Sequence, residues 1–332
     1  MPAQRPRGAG PSTSRNRGRV TAPGIPAAVV VLPYHWWCRY PIDRQGRFSY
    51  SPFPEKNFDN DCLVHMPECG NRKGIVRTML EDPRIISVHS YRGGTGKSNI
   101  TANLATLMAQ RGLRVGVIDT DIQSPGINVL FGMGAMEFGY TLNDYLWGKC
   151  EIRESAHDVT DNVNRDLAGR LFLIPSSMNP GDIARVLKSG YDVSLLKSGM
   201  EELIEALELD VLLIDTHPGL SEETLLSVAL SDVLIILLRP DQQDYLGTSV
   251  TLKVADLLQV PRMCLLLNKV PSCFEPDAVI RKVESSFGKP VLGILPHCDE
   301  MMALASGGIF AEEYPLHAVT ATLQNVVETI LV

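Results

Sequence analysis

Short runs of apolar, often β-branched residues recur from residue 84 onward, and longer amphipathic stretches separate them. The seven runs are RIISVHS (84–90), RVGVIDT (114–120), LFLIPSS (171–177), DVLLIDT (210–216), DVLIILLRP (232–240), RMCLLLNKV (262–270) and PVLGILP (290–296). Near-continuous apolar runs of this length are typical of strands buried on both faces of a parallel sheet. Between them, apolar residues at helical spacing predict helices over 99–110 and 195–209. The alternation predicts an α/β fold with a doubly wound, mostly parallel sheet of about seven strands.

The first 79 residues lack this regular pattern. Residues 1–79 carry 12 Lys+Arg against 5 Asp+Glu, whereas residues 80–332 carry 19 against 33. Residues 1–24 have the Arg/Pro-rich composition of disordered segments, and residues 25–78 show no sustained period. We therefore divide the chain into a largely irregular extension, 1–79, and a domain, 80–332. The extension is interpreted as a disordered solvated tail, as a basic arm that contacts nucleic acid or an anionic surface, or as a misassigned start upstream of Met79.

The overall composition is that of an ordinary globular protein. Of the 332 residues, 45% are hydrophobic and 21% are charged, which excludes a collagen-like, fully disordered or long coiled-coil chain. No stretch approaches 18 unbroken apolar residues, so the sequence predicts no transmembrane helix. The seven cysteines form an odd, scattered set, which argues against a disulfide framework and favours a reducing cytoplasm.

One group of cysteines and histidines raises the question of a metal site. Cys62, His65 and Cys69 lie close together in the sequence, and Cys38 or His35 would have to supply a fourth ligand. Zinc sites usually pair their ligands at shorter spacing than this group shows. We interpret the group as isolated thiols and a surface histidine, with a structural metal site as the alternative.

A glycine-rich loop, YRGGTGKS (91–98), lies between the first predicted strand and the first predicted helix. Glycines permit the positive φ angles that turn backbone N–H groups toward phosphate oxygens, and the helix start adds partial positive charge. In such a loop we expect Lys97 to reach the β- and γ-phosphates and the Ser98 hydroxyl to bind Mg²⁺. The common motif has glycine where Tyr91 stands. The loop therefore matches the deviant form of this motif, K-G-G-x-G-K-[ST], and Arg92 stands at the position of the first lysine of that form.

Two acidic motifs follow apolar strands. The second strand ends in Asp119-Thr120-Asp121, and the fourth ends in Asp215 at the start of DTHPG. An isolated aspartate at a strand end usually caps the next helix or turn. Parallel strands, however, bring their carboxyl ends to one edge of the sheet, where ligands bind. Three aspartates beside a phosphate-binding loop therefore favour a site for a metal ion and a water molecule.

Together these motifs resemble the MinD/ParA family of deviant Walker A P-loop ATPases, which position plasmids, chromosomes, division sites, flagella and other cargo. The likeness spans residues 84–330 but does not reach residues 1–80. It is carried by RGGTGKSNITANLA (92–105), DTDIQSPG (119–126), DTHPG (215–219), LLLNKV (265–270) and LPHCDEM (296–302).

The resemblance implies a role for each matching residue. The implied catalytic residues are Asp121, Lys97 and Arg92. The implied Mg²⁺-binding residues are Ser98, Asp119 and Asp215. The implied ATP-binding residues are Arg92, Gly93, Gly94, Thr95, Gly96, Lys97, Ser98, Asn99, Asn268 and Pro296. Among these, Asp121 would orient the attacking water, Asn268 would contact adenine, and Pro296 would begin the loop that flanks the base.

Two positions depart from the family pattern. In the family the first lysine of the loop reaches the partner's phosphates across an ATP-sandwiched homodimer. Arg92 keeps that charge and can bind phosphate through two N–H groups, although its geometry differs. His217 stands where the family has proline. We interpret it as a tolerated loop substitution, with a general-base role as the alternative, because phosphoryl transfer relies mainly on positioning and charge.

The function implied by the resemblance is a slow, partner-stimulated, Mg²⁺-dependent ATPase that dimerises with ATP to position or partition a chromosome, plasmid, flagellar or other cargo. The alternative is a non-catalytic module whose ATP occupancy controls a partner protein. The net charge of −14 over residues 80–332 does not indicate nonspecific DNA binding, although a local basic patch would permit it. The C-terminal segment LHAVTATLQNVVETILV has no Lys or Arg, so no membrane anchor is evident.

Overall fold

The computed structural model describes residues 82–134 and 139–332. The predictions for residues 1–79, including the group around Cys62, lie outside the described residues. Eight strands form one sheet: β1 (Arg84–His89), β2 (Arg114–Asp119), β3 (His157–Asp158), β4 (Arg170–Ile174), β5 (Val211–Asp215), β6 (Val233–Leu238), β7 (Arg262–Val270) and β8 (Val291–Pro296). Their order across the sheet is β3-β4-β2-β5-β1-β6-β7-β8.

The sheet confirms the predicted doubly wound α/β class. All seven predicted strands form, and every neighbouring pair among them is parallel. The prediction of about seven strands omits β3, which pairs antiparallel with β4 at the edge of the sheet. At two residues, β3 is too short to show the alternating pattern by which strands are recognised in a sequence.

Helices connect the strands. They are α1 (Lys97–Gln110), α2 (Ile127–Leu130), α3 (Leu142–Leu146), α4 (Thr160–Val163), α5 (Pro180–Ser189), α6 (Ser194–Ala206), α7 (Glu222–Ala229), α8 (Gln242–Leu257), α9 (Pro276–Phe287), α10 (Asp299–Leu304), α11 (Phe310–Glu313) and α12 (Ala318–Leu331). The predicted helix over 195–209 was too long. Glu208 adopts a left-handed turn, and Leu209 packs in the same core as Leu203 without being helical. Within the described ranges, no helix has both the length and the apolar character needed to cross a membrane.

Both faces of the sheet are buried, as the near-continuous apolar strands predict. Successive side chains of a strand point to opposite faces. In β5, Val211 and Leu213 lie in the core that contains residues of α1 and α12, whereas Leu212 and Ile214 lie in the core that contains residues of α6. Residues of α8 and α9 share a third core with β6 and β7.

The sheet order sets the place of the functional residues. Strand β1 lies between β5 and β6, so the loop that follows it emerges where connections diverge to the two halves of the sheet. Ligands of doubly wound folds bind at this kind of position. Asp119 pairs in register with Asp215 across β2 and β5, and Val88 of β1 also pairs with Asp215. The strands therefore bring the acidic motifs to the edge from which the loop leaves.

Candidate nucleotide-binding site

The glycine-rich loop leaves β1 at Ser90 and enters α1 at Lys97. Ser90 Oγ donates to the Arg92 carbonyl at 2.7 Å, and Thr95 Oγ1 donates to Ser90 Oγ at 2.7 Å, so side-chain hydrogen bonds close the loop on itself. Gly96 has φ +102°, in the left-handed region that favours glycine. The first N–H groups of α1 have no partner within the helix, which leaves them able to bind phosphate oxygens.

Two residues at the end of β7 are hydrogen-bonded to the loop and hold it in place. Asn268 Nδ2 donates to the Thr95 carbonyl, and Lys269 Nζ donates to the Gly94 carbonyl, each at 2.8 Å. A Cβ atom at Gly96 would lie 2.6 Å from Asn268 Nδ2, so close packing as well as backbone angle requires glycine there. The sequence motifs do not reveal this contact, because its residues are 173 positions apart.

A cavity of about 360 Å³ opens beside the loop. The predicted site residues that line it are Gly93, Gly94, Gly96, Lys97, Ser98, Asn99 and Asp121. Further lining residues are Ser124, Gly126, Leu130, His217, Pro218 and Ser306. Most of these lie within the two acidic motifs, which is the signal that could have identified them. Leu130 and Ser306 carry no such signal.

Asp119 and Asp215 are two buried carboxylates at the ends of β2 and β5, each 1% exposed. Burial raises the pKa of Asp119 well above its usual range, and the charge of Asp215 raises it further. Burial also raises the pKa of Asp215 to about 6, although a hydrogen bond from Ser98 and the charge of Lys97 oppose that shift. Ionising both carboxylates is therefore unfavourable unless a cation lies beside them.

This donor set fits Mg²⁺. Asp215 Oδ1 is buried and has no hydrogen-bond partner within the described part of the chain, and the Ser98 hydroxyl bonds to the same side chain. Asp119 is more occupied, because its oxygens accept from the backbone N–H groups of Asp121 at 2.9 Å and Gly126 at 3.4 Å. Mg²⁺ takes oxygen ligands and keeps several waters, so one open carboxylate oxygen, a second carboxylate and a hydroxyl suit it.

Asp121 lines the cavity and is bonded to His217. His217 Nδ1 lies 2.7 Å from Asp121 Oδ1, and the Ser124 backbone N–H donates to the same oxygen at 3.0 Å. The His217 carbonyl accepts from Thr224 Oγ1 at 3.1 Å, which ties the residue to the first turn of α7. The histidine that departs from the family pattern thus contacts the aspartate expected to orient water.

His89, the last residue of β1, lies in the same region and is fully buried. Burial lowers its pKa to about 3, and the nearby charge of Lys97 adds to this effect. His89 Nδ1 lies 2.8 Å from Thr216 Oγ1, which itself donates to the Val88 carbonyl at 3.0 Å. His89 Nε2 has no hydrogen-bond partner among the described residues. The ring is therefore neutral and incompletely satisfied.

A family profile described as AAA domain matches residues 83–262, more than half of the chain. The chain belongs to this AAA domain family. Its homologues and structural neighbours are P-loop ATPases of the MinD/ParA family, which confirms the resemblance read from the motifs.

Two relatives and one solved structure give the scale of the likeness. An uncharacterized ATP-binding protein of Methanocaldococcus jannaschii is 26% identical over 223 residues, which cover 67% of this chain and 78% of the relative. A putative septum site-determining protein MinD of Oltmannsiellopsis viridis is 28% identical over 235 residues, covering 68% of each. The septum site-determining protein MinD of Pyrococcus horikoshii, complexed with Mg-ADP, matches with TM-score 0.62 and 19% identity over 75% of this chain and 96% of its own. At that identity the match establishes the shared fold.

Arg92, at the position of the family's first loop lysine, is paired with α8 of its own chain. Its Nη1 lies 3.4 Å from Asp244 Oδ1 and 3.5 Å from Asp241 Oδ1, and it is not among the described residues that line the cavity. Burial alone would raise the pKa of Asp244, but hydrogen bonds from Arg239 hold it below its usual range. Arg92 therefore adds a second cation to the ion pair between Arg239 and the buried Asp244.

The two residues assigned to the adenine base by resemblance lie at the same edge of the sheet. Pro296 ends β8 and pairs with Val270 of β7, while Asn268 lies two residues before Val270. Neither belongs to the described lining of the cavity beside the loop. Because the Asn268 amide is bonded to the loop, its contact with a base stays a prediction.

Cys298, Glu300 and His317 form a group of potential metal ligands among the described residues, with ligand atoms within 4.8 Å of one another. The Cys298 thiol donates to Glu300 Oε2 at 3.3 Å, and His317 Nδ1 accepts from the Val319 N–H at 3.1 Å. Because His317 Nδ1 accepts from the Val319 N–H, its lone pair is already engaged in that hydrogen bond. The Cys298 thiol, Glu300 and His317 Nδ1 thus have hydrogen-bond partners within the protein.

Proposed function

We propose that this protein binds Mg·ATP, hydrolyses it slowly, and uses the ATP-bound state as a switch that positions or partitions a cargo. The observation that carries the proposal is the convergence of the glycine-rich loop, Lys97 and Asp121 on one cavity, with the two buried carboxylates at the adjoining strand ends. Similarity to a putative septum site-determining protein supports a positioning role.

The loop supplies the phosphate contacts in this proposal. Backbone N–H groups from Gly93 through Ser98 bind phosphate oxygens, and Asn99 extends this surface into the first turn of α1. Lys97, which is 7% exposed and lines the cavity, neutralises charge on the β- and γ-phosphates. Thr95 contributes its backbone only, because its side chain is turned inward to Ser90.

Ser98, Asp119 and Asp215 are the residues that would hold Mg²⁺, the aspartates through water. When bound, the ion neutralises the phosphates and favours one orientation of the γ-phosphoryl group. Asp215 is the better placed of the two aspartates, because its Oδ1 is buried and unpartnered within the described residues.

Asp121 orients the attacking water. During hydrolysis, the water oxygen forms a bond to the γ-phosphorus while the bond from that phosphorus to the β–γ bridging oxygen breaks. ADP leaves with the bonding electron pair, and the proton of the water passes through Asp121 to the released phosphate or to solvent. Lys97 stabilises the charge that develops on the phosphoryl oxygens.

ATP-dependent dimerisation belongs to the proposal and assigns Arg92 a second position. To reach the partner's phosphates, Arg92 has to leave Asp241 and Asp244. Arg92 and Asp241 are 39% and 41% exposed, so their ion pair is worth about 0–1 kcal/mol, and Asp244 stays paired with Arg239 when Arg92 leaves. A phosphate group can therefore compete for the Arg92 guanidinium. Asn268 and Pro296 would flank the base.

The domain boundaries, the cellular location and the kind of partner are proposed from the composition of the chain. We assign residues 80–332 to the ATPase domain, residues 1–79 to an appended extension, and the protein to the cytoplasm. The acidic charge of the domain favours an unidentified cargo or activating protein over nonspecific DNA as its partner.

One observation favours the alternative, a non-catalytic module whose ATP occupancy controls a partner protein. Arg92 is held by carboxylates of its own chain, so the cation expected to act across a dimer is already paired. Turnover separates the two functions, because the module needs ATP binding without phosphate release.

The proposed function is tested by measuring ATP binding by calorimetry and phosphate release for the parent and for Asp121→Ala. We expect both proteins to bind ATP within about twofold, and Asp121→Ala to lose at least about a hundredfold in turnover, since a positioned general base contributes that much. Asp161→Ala, an exposed aspartate, serves as the control. Equal turnover of parent and Asp121→Ala would contradict the role of Asp121. ATP binding by the parent without phosphate release would favour the module.

A further inference from the structure

His217 has a contact that a tolerated loop substitution does not need. Its ring lies 2.7 Å from Asp121 Oδ1, and both side chains line the cavity beside the loop. The two residues come from different strand ends, 96 positions apart in the chain. Proline, the residue the family carries at this position, has no side-chain hydrogen-bond donor.

The hydrogen-bond pattern fixes which oxygen of Asp121 is occupied. A ring N–H at His217 Nδ1 is the donor that suits a carboxylate oxygen at this distance. The Ser124 N–H donates to the same oxygen, Oδ1. Within the described residues, the hydrogen bonds from His217 and Ser124 thus both end on Asp121 Oδ1, and Oδ2 remains able to accept from a water in the cavity.

The frame around His217 is rigid. Its carbonyl accepts from Thr224 Oγ1, and Thr224 is 1% exposed. Thr216, directly before it, donates through Oγ1 to the Val88 carbonyl, and Gly219, two residues after it, donates through its N–H to the Ser90 carbonyl. Pro218 further restricts the backbone of the residue that precedes it. The imidazole is therefore presented from a segment tied to both β1 and α7.

We propose that His217 is a positioning residue for ATP hydrolysis, which holds the Asp121 carboxylate so that Oδ2 faces the attacking water. The proposal rests on the proposed function and deepens it. A carboxylate with two donors on one oxygen has lost its rotational freedom before the reaction begins, so this ordering does not add to the barrier. His217 acts through Asp121 and leaves the affinity for ATP unchanged.

The test compares His217→Leu, which removes the donor, with His217→Asn, whose amide N–H can replace that of Nδ1. We expect His217→Leu to lower the single-turnover rate about tenfold, because one hydrogen bond to a charged group is worth that much. His217→Asn should recover most of this loss. The dissociation constant for ATP should stay within about twofold in both variants. His157→Leu, a histidine outside the cavity lining, is the control.

A second comparison separates positioning from a structural effect. In an Asp121→Ala background, His217→Leu should lower the rate no further, since no side chain then remains for His217 to position. Equal rates for the parent and His217→Leu would overturn the inference while leaving the proposed function intact. Equal losses in the Leu and Asn variants, a parallel loss of ATP affinity, or additive losses with Asp121→Ala would overturn it too. A parent that binds ATP without turnover would overturn both.

Discussion

On the β2–β5 side of the glycine-rich loop, two buried polar atoms near the loop lack protein partners within the described residues, whereas on the β6–β7 side the polar side chains next to the loop are hydrogen-bonded to it or to one another. Asp215 Oδ1 and His89 Nε2 are two such atoms on the first side. On the second side, Asn268 and Lys269 bond loop carbonyls, and Asp244 is paired with Arg239.

The difference indicates a division of labour around the loop. Unsatisfied buried polar groups lower the stability of a folded protein and are kept where a ligand completes them. Groups that satisfy one another instead hold a loop in place for that ligand. We therefore assign ligand binding to the β2–β5 side and support of the loop to the β6–β7 side.

Lys97, where the loop enters α1, and Lys269, at the end of β7, should differ most in their effect on ATP binding. We expect Lys97→Ala to weaken ATP binding by more than about a hundredfold, because it leaves buried phosphate charge uncompensated, at about 3–5 kcal/mol. Lys269→Ala, which removes only an exposed bond to the Gly94 carbonyl, should change the affinity by about twofold or less. Calorimetric titration of both variants measures the difference. Similar affinities for the two variants would contradict the division of labour.

The second prediction concerns the dependence of stability on pH on the β2–β5 side. Because burial lowers the pKa of His89 from 6.5 to about 3, the unfolded chain binds a proton there between those values and the folded chain does not. The free energy of unfolding should therefore lose about 3 kcal/mol from this group as pH falls from 6.5 to 4. The raised pKa values of Asp119 and Asp215 act in the opposite direction over part of this range.

His89→Gln isolates the contribution of His89, because Asp119 and Asp215 are present in both the variant and the parent. Denaturant unfolding at several pH values should show a smaller loss of stability in acid for His89→Gln than for the parent. His297→Gln, at an exposed histidine, should keep the slope of the parent. Parallel slopes for the parent and His89→Gln would exclude His89 as the source.

The smallest effect on the isolated chain is expected at Arg92, on the β6–β7 side. Arg92→Ala should change the affinity of the monomer for ATP by less than about 1 kcal/mol, since its ion pairs are partly exposed. If Arg92 exchanges Asp244 for the partner's phosphate, light scattering with a nonhydrolysable ATP analogue should show dimers for the parent and Arg92→Lys and monomers for Arg92→Ala. Indistinguishable masses would leave Arg92 with its intrachain pairs alone.

The sequence predicts the scaffold of the site because its signals are local. Apolar strand runs, the glycines of the loop and the aspartates at strand ends each lie within a few residues, and strand register then brings Asp119 beside Asp215. The two-residue strand β3 is missed because it is too short to carry a period. The predicted helix over 195–209 is too long because Leu209 continues the apolar spacing of the helix. Leu209 lies beyond the helix end and is apolar because it packs in the core.

The partners of the site residues could not be predicted in the same way. Three hydrogen-bonded pairs join segments that are 96, 152 and 173 residues apart. They are His217 with Asp121, Arg92 with Asp244, and Asn268 with Thr95. Such contacts depend on how loops meet after the sheet has formed. Residue identity and spacing along the chain carry no signal for them.

The central claim, that the β2–β5 side binds ATP together with Mg²⁺, is tested most directly by titrating ATP into the parent and Asp215→Asn, with Mg²⁺ and with a chelator. We expect Mg²⁺ to tighten ATP binding by the parent at least about tenfold, the scale on which a metal-site residue acts, and to have less than about a twofold effect on Asp215→Asn. ATP affinity of the parent that is the same with and without Mg²⁺, or no binding of ATP at all, would contradict the account.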